Sequence, residues 1–371
     1  MAIPQIFGAP SRYVQGYGEL KNLKKYIDWM GKSIMLVGSK NRLKDLKEKI
    51  ASSFDDSYTL TFVEFSGSSS VTEANRLSEE VKKCGAECVV AIGGGKVQDT
   101  CKAAAFWNNT YLVVVSTIVA SDATTSATGL LYNDEGTQIQ QGVLMNRNPD
   151  LVLVDTEIIM QAPTRYLVAG MGDALSTYLG ARVTRAAGAT NYFGGIPTEV
   201  GFNIAKLSYE LLFKYGLEAK IASEQKVMTK ALNTIIEVNT LMSGMGFENG
   251  GSASDHSFCF AALALPGREE WALHGEGVSF SCCCQLVMEN VDVEELDKVY
   301  SFLVSVGLPV TFDDLHIYDI TDDEIRLMAK NMSNNPKNYN HPFECTEEVL
   351  YGAIKTADTL GKMYKAGGRL I

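Results

Sequence analysis

Thr59–Phe65 reads as a strand, and three short apolar runs without clear alternation punctuate the first half of the chain: Ser33-Ile34-Met35-Leu36-Val37-Gly38, Val89-Val90-Ala91-Ile92 and Tyr111-Leu112-Val113-Val114-Val115-Ser116-Thr117. Each reads as a buried strand, because a strand covered on both faces has no polar side to show. Between them, apolar positions recur with helical spacing, which predicts helices near Gly18–Met30, from about Arg42 to Ser53, from Ser70 to Lys83 and from Lys96 to roughly Trp107. Ser70 and Glu73 fit a capping box at the third of these. A β-like run, Ser11–Gly16, precedes the first helix, and Gly142–Asn146 with Leu151–Asp155 read as a strand pair after a polar turn at Asn133–Gly136. Strands alternating with helices predict a parallel, doubly wound α/β sheet. From Pro163 the texture changes to helical periodicity, broken at Gly188–Pro197, Asn249–Ser254, Pro266-Gly267, Gly307-Leu308-Pro309 and Asn334–Pro342. The expected organisation is an α/β domain over residues 1–162 and an all-α domain over 163–371.

Composition narrows the class. A net charge of −11, from 33 basic and 44 acidic side chains, argues against a nucleic-acid surface. No run is long and apolar enough for a membrane span, and Met1-Ala2-Ile3-Pro4-Gln5 lacks the basic and apolar regions of a secretory leader, so a cytoplasmic protein is expected. The eight cysteines include no C-x-x-C pair, and three of them, Cys282, Cys283 and Cys284, adjoin on an apolar helix. They read as small buried residues in a reducing compartment rather than as a disulfide framework or zinc ribbon.

Candidate chemistry begins at Gly93-Gly94-Gly95-Lys96, which joins a strand to a helix. Glycines admit a close anion, and the N–H groups and dipole of the helix start favour phosphate. The pattern is neither G-x-G-x-x-G nor a Walker loop, and a plain turn packing helix on strand fits it as well. Four histidines occur. His256 follows a glycine-rich approach to a helix, and His274 is followed by Gly275 at another helix start. Asp173 stands in the small, apolar helical stretch Ala169-Gly170-Met171-Gly172-Asp173-Ala174-Leu175. An Asp/His/His set suits a catalytic zinc with one open position, although spacing alone favours three satisfied polar residues near helix ends. His316 reads as a surface residue, and His341 as a solvated loop residue, with lining a cleft as the alternative. The hydroxyl-rich stretch Ser121–Gly129 follows a strand end, where ligands bind in open α/β sheets.

Together these stretches resemble the glycerol dehydrogenases of the iron- or zinc-dependent alcohol dehydrogenase family. The likeness runs over nearly the whole chain, through Tyr13-Val14-Gln15-Gly16, Gly93-Gly94-Gly95-Lys96, Ser121-Asp122-Ala123, Asp150–Asp155, Gly170–Ala174, Gly246-Phe247-Glu248 with Gly250-Gly251, and His274-Gly275-Glu276. The resemblance implies a Rossmann-like dinucleotide-binding domain, an all-α domain of the dehydroquinate synthase-like kind, and an active site in the cleft between them. It implies Asp173, His256 and His274 as metal ligands, with both histidines and the polyol contact Asp122 as catalytic residues. Gly94, Gly95 and Lys96 match the pyrophosphate loop, Ser39 the adenosine-ribose position, and Thr117, Ser126, Thr128 and Tyr132 the nicotinamide contacts. The implied cofactors are NAD and zinc, preferred over iron because only two histidines serve, and the implied assembly is a homo-oligomer acting on a small polyol.

Three departures bear on specificity. Ser39 stands where NAD-specific members usually carry an acidic residue, and Lys40 and Arg42 nearby make NADP admissible. Ala120 and Thr124 replace the usual Ser and Pro of the substrate loop. Ser254-Asp255 precede His256 where small apolar residues are usual, and Asp255 either orients a ligand or caps a helix. Two enzymatic alternatives are a 2-oxo acid reductase, which calls for a cationic contact absent from residues 121–132, and a dehydroquinate synthase-like lyase. The latter needs phosphate-binding cations near the metal segments, where Arg165, Arg182 and Arg268 are the available residues.

Overall fold

The computed structural model describes residues 3–135, 139–263, 265, 272–335 and 340–371. Gly136, Arg268, the Pro266-Gly267 break and residues 336–339 of the Asn334–Pro342 break, all singled out from sequence, lie outside the described residues. The chain divides into two compact units: Gly8–Pro163, and the N-terminal residues through Phe7 together with Thr164–Ile371.

The Gly8–Pro163 unit is built on strands β1 (Tyr13–Gly16), β2 (Ser33–Gly38), β3 (Thr59–Glu64), β4 (Cys88–Gly93), β5 (Tyr111–Ser116), β6 (Thr128–Tyr132), β7 (Ile139–Leu144) and β8 (Leu151–Asp155). Its helices are α1 (Leu23–Ile27), α2 (Lys40–Ala51), α3 (Val71–Cys84), α4 (Gly95–Asn108) and α5 (Thr156–Gln161). Six strands form one parallel sheet in the order β1-β8-β5-β4-β2-β3. Every residue of β4 and β8 is buried, as a centre covered on both faces requires. The chain steps from β2 outward to β3 and then returns to β4 on the other side of β2, which makes the carboxyl ends of β2 and β4 the switch point where such sheets bind ligands.

Two expectations need correcting. Gly142–Asn146 and Leu151–Asp155 do not pair: β7 forms an antiparallel hairpin with β6, and β8 enters the large sheet between β1 and β5. Polarity explains the separation, since β7 carries Gln140 and Gln141 and is largely exposed, whereas the unbroken apolar run of β8 belongs at a sheet centre. The helix expected over Gly18–Met30 is the single turn of α1 flanked by 3-10 turns at Glu19–Asn22 and Asp28–Met30. Asp155 holds that lead-in, its carboxylate accepting from the N–H groups of Gly18 at 2.8 Å and Leu20 at 2.9 Å.

The second unit is helical: α6 (Thr164–Ala186), α7 (Glu199–Glu224), α8 (Lys230–Glu237), α9 (Ser243–Gly250), α10 (Ser257–Leu263), α11 (His274–Met288), α12 (Val293–Val306), α13 (Asp322–Ser333) and α14 (Glu347–Lys365). A π-turn at Val238–Met242 links α8 to α9. Helix α6 is buried on nearly all sides from Leu167 to Leu179, which accounts for its lack of a polar stripe. Among the described residues, no helix is long and apolar enough to cross a membrane.

Candidate metal centre and dinucleotide-binding turn

The metal centre arises where α6 and α11 touch backbone to backbone. A Cβ on Gly172 would lie 2.2 Å from the Gly275 carbonyl oxygen, and one on Gly275 would lie 1.9 Å from that of Ala169. Only glycine permits this approach, and each glycine adjoins a candidate ligand, Asp173 on α6 and His274 at the start of α11. His256 ends the 3-10 turn Ser254–His256 that leads into α10. Asp173 is fully buried, and its Oδ1 lies 3.5 Å from His256 Nε2 and 3.4 Å from His274 Nε2. The three ligand atoms lie within 4.8 Å of one another, and they form the one such His/Cys/Asp/Glu group found among the described residues. Donors about 2 Å from a tetrahedral ion stand roughly 3.3 Å apart, so the set fits a divalent metal with three protein ligands and an open position.

Electrostatics agree with that fit. Burial opposes ionisation of Asp173, yet the facing His274 and His256 hold its carboxyl well below the usual carboxylate range. Burial likewise opposes protonation of His256, but Asp173 and Asp255 outweigh it and push its pKa up to about 10. His274 is raised in the same way, against burial, by Asp173. A cation is therefore strongly favoured beside this carboxylate, and a metal would displace the protons.

Around the three ligands, sequence reasoning was incomplete. Asp255 is buried and accepts from His256 Nδ1 at 2.6 Å, so its contact is with a ligand. Cys259 Sγ lies 3.8 Å from His274 Nδ1. His341 is not solvated: it is buried, and its Nε2 meets Ser254 Oγ at 2.8 Å. Burial lowers its pKa to about 4 and keeps the ring neutral. The neighbouring Pro342 and Phe343 gave no clue to this, because the partner lies 87 residues away. His316 is exposed, as expected.

In the other unit, the turn after β4 carries the phosphate-site candidates. Gly94 is the N-cap of α4 and has no side chain to occupy the first-turn N–H groups, while Lys96 is exposed beside them. The turn is fixed from below: Gln98 Nε2 donates to the Gly93 carbonyl at 3.0 Å, and Thr117 N donates to it at 3.2 Å. An anion fits this start of a fourteen-residue helix. Ser39 follows β2 at the switch point and caps α2, its Oγ accepting from Arg42 N at 3.4 Å. Asp122, half-buried, opens a 3-10 turn, Asp122–Thr124, and Thr128 and Tyr132 begin and end β6.

The residue missed in this unit is Lys102. Its side chain is fully buried, and Nζ reaches Asp99 Oδ1 at 3.1 Å, the carbonyls of Ala123 at 2.6 Å and Thr128 at 2.7 Å, and Ser126 Oγ at 3.0 Å. It thus fastens the segment that bears Asp122, Ser126 and Thr128 onto α4. The spacing Asp99–Lys102, one turn past the glycines, was the available signal.

Residues 10–156 match the model of the iron-containing alcohol dehydrogenase family. A glycerol dehydrogenase from Escherichia coli is 36% identical, over 97% of this chain and 98% of that protein. The crystal structure of glycerol dehydrogenase from Schizosaccharomyces pombe superposes with a TM-score of 0.93 at 30% identity, covering 100% of this chain and 96% of that one. A probable glycerol dehydrogenase from Sinorhizobium meliloti gives 0.90 at 34% identity, covering 96% and 99%. A parallel six-stranded sheet followed by a helical unit, with full-length relatives of this kind, makes the chain a member of the iron-containing alcohol dehydrogenase family.

Proposed function

We propose that this protein oxidises glycerol, or a closely related vicinal diol, to the hydroxyketone with NAD, using a zinc ion held by Asp173, His256 and His274. The observation that carries the reading is the convergence of one buried carboxylate oxygen and two imidazole nitrogens within 4.8 Å, in a chain whose full-length relatives include glycerol dehydrogenases. When bound, the ion supplies Lewis-acid polarisation of the alcohol, and the nicotinamide supplies the hydride acceptor. The protein's own residues do the rest. Asp173 contributes the single negative charge of the ligand set, and the two imidazoles contribute neutral donors, which leaves the centre positive overall. Asp122 accepts a hydrogen bond from a substrate hydroxyl and so orients the diol. Gly94, Gly95 and Lys96 hold the pyrophosphate at the start of α4, and Thr117, Ser126, Thr128 and Tyr132 line the nicotinamide end. Ser39, without a carboxylate to repel a 2′-phosphate, leaves NADP admissible. The eight cysteines are free thiols, which suits a reducing compartment such as the cytoplasm.

The competing chemistries find less support. Reduction of a 2-oxo acid needs a cation for the carboxylate, and the ammonium nearest the 121–132 segment, Lys102, is buried and already engaged with Asp99, Ser126 and two carbonyls. A dehydroquinate synthase-like lyase needs cations for phosphate near the ligands. Arg165 is paired with Glu276 at 2.6 Å, and Arg182 with Glu289 at 3.0 Å and Glu295 at 2.5 Å. His256→Ala and His274→Ala should each abolish metal retention and turnover together; a variant with full activity and no metal would refute the assignment.

A further inference from the structure

We propose that Asp255 is the positioning carboxylate of this centre: once an ion replaces the proton between His256 and Asp173, Asp255 holds His256 as the Nδ1–H tautomer, so that Nε2 presents its lone pair to the ion. The inference rests on Asp173, His256 and His274 being the metal site, and it concerns a residue outside that ligand set.

Three observations converge on it. The two ring nitrogens of His256 face different carboxylates, Nε2 toward Asp173 at 3.5 Å and Nδ1 toward Asp255 at 2.6 Å. An ionised Asp255 can only accept, so the proton between them sits on Nδ1. Its two oxygens divide the work: Oδ2 takes His256, while Oδ1 takes the Ala253 N–H at 2.5 Å, and Ser252 Oγ lies 3.2 Å from both. Capping the turn would need only one oxygen, and the other is spent on the ligand. Finally, α6 leaves a place for the group. A Cβ on Gly180 would stand 2.8 Å from Asp255 Oδ1, so the same helix that carries Asp173 is hollowed two turns later to seat the second carboxylate.

The arrangement is asymmetric. Among the described residues, the partner of His274 Nδ1 is the Cys259 thiol at 3.8 Å, a weak one, so Asp255 makes His256 the better fixed and more basic of the two nitrogen ligands. Removing Asp255 should therefore weaken metal binding without touching a ligand.

The test is zinc affinity of the full-length protein, measured by competition with a chromophoric chelator, together with the thermal midpoint of each metal-free protein. Asp255→Ala should lower the affinity about 10–100-fold, the usual cost of losing such a partner. Asp255→Asn should lower it comparably although it is isosteric, because one amide oxygen cannot serve both the Ala253 N–H and His256 Nδ1–H. Ser252→Ala, which removes a bond to the same carboxylate but none to His256, should leave affinity little changed. Wild-type affinity in Asp255→Asn would overturn the proposal, and so would an equal loss in Ser252→Ala, which would mark Asp255 as a loop anchor. His256→Ala separates the two levels of the argument: if it too binds zinc normally, the metal-site reading itself fails.

Discussion

Lys102 shows how much a single buried charge can organise. Its ammonium holds the carbonyls of Ala123 and Thr128 and the Ser126 hydroxyl, all on the segment that carries Asp122. Replacing it with methionine keeps the length but takes the ammonium from Asp99 and leaves those acceptors without this donor, at about 1–3 kcal/mol for each buried group that loses its partner. Lys102→Met should therefore lower the stability measured in urea by a few kcal/mol and raise the KM for NAD more than it changes metal content. Unchanged stability and KM would show the segment to be held by other contacts. Lys102 did not declare its role in the sequence, because a lysine two turns into a helix has an ordinary solvated reading, and Asp255 left two readings open, orienting a ligand or capping a helix. The ligand candidates came from the resemblance to a family, because spacing alone favoured reading Asp173, His256 and His274 as satisfied polar residues near helix ends.

At the scale of elements, the parallel strands were readable because double burial removes the polar alternation, whereas the β6–β7 hairpin was not. Its partner strand begins in the hydroxyl-rich stretch after Ser121, where loop chemistry masks strand pattern. The start of α3 was half legible. Ser70 Oγ does accept from Glu73 N at 3.2 Å, but the Glu73 carboxylate does not return to Ser70; it accepts from Ser66 N at 2.9 Å and from Arg76 at 2.6 Å. Glu73 is 4% exposed; burial raises its pKa, and Arg76 and the Ser66 N–H more than reverse that, leaving it below the ordinary 4.5. A depressed folded-state value means the group stabilises the fold fully above pH 4.5 and loses that contribution as pH falls below it toward the folded value. Glu73→Gln should accordingly be less stable than the parent at pH 7, by about 1–3 kcal/mol. The gap should narrow as both proteins are taken below pH 4.5 in urea titrations; a gap independent of pH would assign the effect to packing.

At the scale of the molecule, the chain commits one unit to a parallel sheet with a glycine turn at its switch point and another to helices that bring Asp173, His256 and His274 together. Their contact depends on Gly172 and Gly275, positions 103 residues apart whose relation no local pattern reveals; the resemblance to a family, carried by several motifs at once, supplied what spacing could not. The central claim is that glycerol oxidation depends on a metal at those three residues. The most direct test is glycerol-dependent reduction of NAD, with NADP in parallel, by the protein as purified, after exhaustive chelation, and after zinc is restored. The account predicts activity lost on chelation and recovered with one equivalent of zinc per chain. Glycerol turnover that survives complete removal of metal would contradict it.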